Sequence, residues 1–194
     1  MTPNPIEADA NTSHEGLLRE LDGMLAQAAG AYSFAMSGIR RIDEFFAAAP
    51  RTAENPDPSI YLGIGDPNLS DDKYARFKAS DLPGLLARGG PVAIQLGQQW
   101  AVFVYAEWEH SFRHRLAAAW HRPVEQIQID AFGDLRRIRH DIVHHRGVAS
   151  KQQAGKCVQF RWFAPGDRIV IEAQHIAEFM KAVPWDGLRN GRLT

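Results

Sequence analysis

From Ser13 to Ala49 the residues Leu17, Leu21, Met24, Ala28, Tyr32, Ala35, Ile39, Ile42 and Phe46 recur at spacings of three and four. Only an α-helix brings such positions to one face, so the pattern predicts one long amphipathic helix with Ser13 as N-cap and Pro50 as stop. A stripe of that length needs partners, which the rest of the chain must supply. With 194 residues and 45% hydrophobic content, the chain has the material for one domain of ordinary size over residues 13–194. Met1 to Thr12, polar and with two prolines, reads as a disordered start.

A second long helix is predicted from Pro91 through Trp120, where no further proline intervenes and Gly97 is the only weak helix former. Around Trp100 to Trp108 it is apolar on nearly every side, which calls for burial by several neighbours. Trp100, Phe103, Glu107, His110 and His114 share a stripe that passes from apolar to ionisable, as at the edge of a polar site. Trp100, Trp108 and Trp120 read as core or interface aromatics. After a break at His121, Arg122 and Pro123, a third helix runs from Asp130 to Arg146, with Phe132, Leu135, Ile138 and Ile142 as its core face and Gly147 as its stop.

Between the first two helices, residues 50–72 carry enough prolines and glycines to read as a loop. Asp71 to Arg88 reads as one helix or two short ones, interrupted at Pro83 and Gly84. The GIGDPN segment, Gly63 to Asn68, lacks the spacing of a phosphate-binding loop, so no nucleotide cofactor is expected. Near the C-terminus the period changes to two: CVQFRWF and RIVIE flank Ala164 to Asp167 and read as a β-hairpin, followed by a helix from Ala173 to Val183. The expected fold class is mainly α, a helical bundle with a C-terminal β-hairpin and short helix appended over residues 156–194.

Charge and cysteine usage narrow the function. The 22 Lys and Arg against 23 Asp and Glu give a net charge of −1, so no global field recruits nucleic acid or an anionic membrane, and any anion site must be local. Cys157 stands alone, which excludes an internal disulfide framework and a zinc site built on several thiolates; it reads as a small apolar strand residue. No apolar run approaches the roughly 18 residues of a membrane span and no secretory signal is visible, so a cytoplasmic protein is expected.

The chemistry concentrates in GDLRRIRHDIVHHRG, where Arg136, Arg137, Arg139 and Arg146 join His140, His144 and His145 against Asp134 and Asp141. At about 100° per residue, Arg136, Arg137, His140 and His144 face away from the core and Arg139 lies at its border. Solvated faces use mainly Lys and Glu, whereas histidine at this density points to proton transfer, metal binding or specific hydrogen bonds. Asp141 reads either as an acid orienting a histidine or as a solvent-facing partner of Arg137, and Glu109 and Arg113 as an i, i+4 ion pair.

Arg139 followed after four residues by His144 resembles the R-x4-6-H motif of the HEPN superfamily of small helical ribonucleases, and His145 satisfies the same spacing. The phrase DLRRIRHDIVHHRG looks like the bacterial form of that pattern. The order of a long first helix, a second carrying WEHSFR and then the motif helix is similar to the HEPN bundle. The resemblance covers Ser13 to Ser150 and leaves the hairpin and last helix aside. It implies a metal-independent endoribonuclease that cleaves RNA through 2′-hydroxyl attack, needs no cofactor, and builds its cleft where two subunits of a homodimer join motif helices. It further implies an antitoxin or regulatory protein as partner, in bacterial defence or toxin–antitoxin systems. Arg139 and His144 would then be catalytic, His140, Asp141, His145, Glu109 and Arg113 supporting, and Arg136, Arg137 and Arg146 RNA-binding. Two other readings stay open. One is a catalytically silent module that binds RNA or a protein. The other is a metal-dependent hydrolase on the pairs His110/His114 and His140/His144, with Glu107 nearby.

Overall fold

The computed structural model describes the backbone of residues 5–47, 52, 54–64, 66 and 73–192. The protein is mainly helical with a small two-stranded antiparallel sheet, and no described helix is long and apolar enough to cross a membrane. The chain divides into two compact units, residues 1–33 with 96–194 and residues 34–95.

Helix α1 spans Pro5–Ala47, so residues 5–12 are helical and the expected disordered start and Ser13 cap give way. A proline in the first turn is compatible with this, since its missing N–H would have no helical partner there. Residues 1–4 and the predicted stop Pro50 lie outside the described residues. Leu17, Leu21, Ala28, Tyr32 and Ile39 are buried along the helix as the spacing requires, whereas Met24 is half-buried with Leu25 taking the inner place beside it, and Ile42 is 46% exposed.

In the unit of residues 34–95, β1 (Ser59–Gly63) pairs antiparallel with β2 (Lys73–Lys78) through Ile60 with Phe77 and Tyr61 with Arg76. This corrects both the loop expected over 50–72 and the helix expected from Asp71. Turn residues dominate the composition there, yet Ile60, Tyr61 and Phe77 are strand formers whose pairing outweighs them. Asp57 fastens the exit of β2 by accepting from the Ser80 N–H at 2.9 Å and its hydroxyl at 3.1 Å. Pro83 and Gly84 fall inside the short helix α2, Leu82–Leu86.

The predicted second helix is a continuous run in three parts: α3 (Pro91–Glu107), a π-helical turn (Trp108–Phe112) and α4 (Arg113–Ala119). A π turn takes up an extra residue and rotates everything beyond it. The expected stripe dissolves: Phe103, ahead of that turn, is 49% exposed, and His110 and His114, within and beyond it, face solvent, while Val104, Trp108, Phe112 and Leu116 go inside. Gly97 lies against the backbone of Ile171, whose carbonyl oxygen a Cβ would strike. Beyond α4, Trp120 donates its indole N–H to His14 Nε2 at 3.0 Å.

Helix α5 spans Asp130–His144, stopping short of the predicted Arg146, and buries Phe132, Leu135 and Ile138 as expected, while Ile142 is only half-buried. It is followed by α6 (Lys151–Ala154), α7 (Ala173–Ala182) and α8 (Trp185–Arg189). The expected C-terminal hairpin is not formed: the only pairing there is an isolated bridge between Val148 and Arg168. The reason is Asp134, whose buried carboxylate accepts from the N–H groups of Val158, Gln159 and Phe160 at 3.0, 2.7 and 2.8 Å. Donors held by one carboxylate are lost to a strand ladder. The segment still packs inward, with Phe160, Phe132 and Trp100 ringing Phe179 at centroid distances of 5.9, 5.2 and 5.4 Å.

Candidate active site

Helix α5 carries its ionisable residues on three sides. Its buried stripe contains Asp134 and Asp141, 0% and 2% exposed, four residues before and three residues after Ile138. Asp134 pairs with Arg137 at 2.8 Å in addition to its three backbone donors. Asp141 is thus neither solvent-facing nor the partner of Arg137, which corrects that alternative. Its Oδ2 accepts the Ser150 N–H at 2.7 Å, and its Oδ1 faces His140 Nδ1 at 3.6 Å and His145 Nε2 at 3.8 Å.

The outer side of α5 borders a cleft of about 500 Å³. Arg113, Arg136, Arg137 and Lys156 line it with His140, against the carboxylates Glu109 and Asp130. Trp108 and Phe132 are also on its wall, their rings stacked at 4.1 Å and 13°. The π turn supplies the opposite rim: Arg113 Nη1 meets both oxygens of Glu109 at 3.0 and 3.1 Å, and its Nε donates to the Ile127 carbonyl at 3.0 Å. Tyr105 donates to Glu109 Oε2 at 2.9 Å. Burial, reinforced by that hydrogen bond, pushes the Tyr105 hydroxyl up to about 12. Burial also works to raise the Glu109 carboxyl, but Tyr105 and Arg113 together outweigh it and hold the group below its ordinary range.

The predicted residues therefore fall into neighbouring groups. Arg136, Arg137, His140, Glu109 and Arg113 come together around the cleft. Arg139 is half-buried with its guanidinium carbon 5.7 Å from the Tyr105 ring centre, and its buried Nε has no hydrogen-bond partner among the described residues. His144 is exposed, and its ring lies 4.7 Å from that of His140. Arg146 is exposed on the left-handed turn that ends the helix, at φ 53°. The pairs His110/His114 and His140/His144 do not form the only His and carboxylate group with metal-ligand proximity among the described residues, which is His140, Asp141 and His145. Cys157 is buried, and burial raises its thiol to about 11, so it is a packed core group although no strand holds it.

Tyr105, Lys156 and Asp134 were not singled out from sequence. The i, i+4 spacing of Tyr105 to Glu109, and the place of Asp134 on the stripe of Ile138, are readable signals. Lys156 carries none, because only the path of the segment after α6 brings it to the cleft. No family model, curated protein or solved structure matches the chain.

Proposed function

We propose that the protein is a metal-independent endoribonuclease with Arg139 and His144 as its catalytic residues and an active site completed by a second copy of the chain. The observation that carries this reading is the cationic cleft on the helix that bears the motif, with His140 linking the cleft to the exposed His144. Arg113, Arg136, Arg137 and Lys156 around a cavity of about 500 Å³, two of them already paired with Glu109 and Asp134, put positive charge at one place on a near-neutral chain, where any anion site has to be local. The stacked Trp108 and Phe132 add aromatic wall to it.

RNA cleavage of this type needs a base to take the 2′-hydroxyl proton as O2′ attacks phosphorus, an acid to protonate the departing O5′, and positive charge on the phosphorane. An imidazole with an ordinary pKa of about 6.5 serves either proton transfer, and a guanidinium fork holds two phosphate oxygens. One His144 per chain supplies one of the two transfers, and an isologous dimer supplies both. Val143, 49% exposed beside His144, and Val148, 38% exposed, are apolar groups that such a contact would cover.

The test is cleavage of a single-stranded RNA by purified protein in excess EDTA. Expected are 2′,3′-cyclic phosphate ends and no cleavage of a substrate with 2′-deoxy at the scissile nucleotide. Folded His144→Ala cleaving at the parent rate would overturn the catalytic assignment and favour a binding module.

A further inference from the structure

Asp141 is an acid in an apolar stripe, and one of its oxygens is unaccounted for. Oδ2 is held by the Ser150 N–H at 2.7 Å, while Oδ1 is buried and has no hydrogen-bond partner among the described residues. The same is true of His140 Nδ1, the nitrogen that faces it at 3.6 Å. His145 Nε2 approaches the same oxygen at 3.8 Å, and the three atoms lie within 4.8 Å of one another. Both separations are too long for hydrogen bonds. These two are close to the spacing of ligand atoms around a shared metal ion, since bonds of about 2.0–2.1 Å in tetrahedral geometry set neighbouring donors roughly 3.4 Å apart, and the span of up to 4.8 Å across the three atoms closes by rotation of the half-exposed imidazoles onto the ion.

The surroundings are those of a built site. Ser150 fixes the carboxylate from behind, as outer-sphere hydrogen bonds do around metal ligands. His145 is fixed by backbone: its N–H and that of Gly147 both donate to the Asp141 carbonyl, at 2.9 and 3.1 Å. Arg146 and Gly147, at φ 53° and 71°, then turn the chain away. The His140 and His145 side chains are 42% and 43% exposed overall, although His140 Nδ1 and Asp141 Oδ1 are buried, so an ion reaches them by movement of the half-exposed rings. Two imidazole nitrogens and one carboxylate oxygen suit zinc and its transition-metal neighbours, whereas magnesium and calcium require oxygen donors throughout.

We propose that His140 Nδ1, Asp141 Oδ1 and His145 Nε2 bind one divalent transition-metal ion of the zinc class, with a fourth position open to solvent. The site goes beyond the ribonuclease reading and does not rest on it. Neither Arg139 nor His144 is a ligand, and the ion takes no step in cleavage. Its effect is to tie the turn after α5 to the helix itself.

The experiment uses full-length protein stripped with chelator, dialysed, and titrated with Co²⁺ and Zn²⁺. Co²⁺ binding is followed by its visible absorption and Zn²⁺ stoichiometry by calorimetry. One ion per chain is expected, with affinity reduced at least tenfold in His140→Ala and in His145→Ala and unchanged in His110→Ala and His144→Ala. The half-exposed histidines make these variants safe for folding, which circular dichroism checks. No Co²⁺ absorption above that of buffer, or binding that survives His140→Ala and His145→Ala, would overturn the site. RNA cleavage is not a readout here, so failure of the metal site and failure of the nuclease reading remain distinguishable.

Discussion

Asp134 accepts hydrogen bonds from three successive backbone amides and from Arg137 while fully buried. Replacing it by Ala strands those donors, so Asp134→Ala is expected to lose about 3–5 kcal/mol of stability in urea unfolding, more than Asp134→Asn, which keeps one acceptor oxygen. At the cleft, the same pairing separates two neighbouring arginines. Arg137 is already engaged by Asp134, whereas Arg136 is exposed. Arg136→Ala is therefore expected to weaken RNA binding more than Arg137→Ala, with the salt slope of a filter-binding titration falling by about one. His144→Ala should do the reverse, lowering single-turnover cleavage by about 10²- to 10⁴-fold while leaving RNA affinity in place.

Helix α7 begins with a reciprocal cap: the Glu172 side chain accepts from the His175 backbone, and the Glu172 N–H donates to His175 Nδ1 at 3.0 Å. That nitrogen accepts only when unprotonated. Burial lowers the His175 pKa from 6.5, against the opposing pull of Glu178 and Glu172, so the folded state favours the neutral ring and the unfolded chain binds the proton more readily. The stabilisation is complete above pH 6.5 and is lost as pH falls below it toward the folded pKa. The urea midpoint of the parent should drop over that range, and His175→Gln should flatten the dependence. In α3, helix propensity alone says that Gly97→Ala gains about 1 kcal/mol. The Ile171 carbonyl against Gly97 reverses the sign, and a loss of about 1–3 kcal/mol is expected by the same measurement.

For the molecule as a whole, the proposed chemistry requires two copies. Light scattering at micromolar concentration should report a dimer, and a monomer that still cleaves RNA would refute the shared site. Within one chain, α1, the helical run from Pro91 and α5 were legible because long apolar periodicities are local signals that tertiary context seldom overrules. The π turn was not, since its extra residue leaves composition unchanged and shifts only which side chains face inward. Strand pairing was misread in opposite directions, missed where it forms and expected where it does not. Residues 59–63 and 73–78 paired despite flanking breakers, and residues 157–172 declined to pair despite alternating apolar residues.

Of the candidate site, the sequence alone determined the cluster of cations and imidazoles on one helix, because residue type and a period of 3.6 are both written locally. Tertiary structure decided which of them share a cleft, since Glu109, Arg113 and Lys156 reach Arg136 and His140 from elements distant in the chain. It also decided the fate of the two acids. Residue type alone makes Asp134 and Asp141 candidates for surface charge, yet burial removes water from them, and a carboxylate without water must be met by protein donors or by a cation. The backbone after α5 follows from that requirement: one acid gathers the amides of 158–160 and the other that of Ser150.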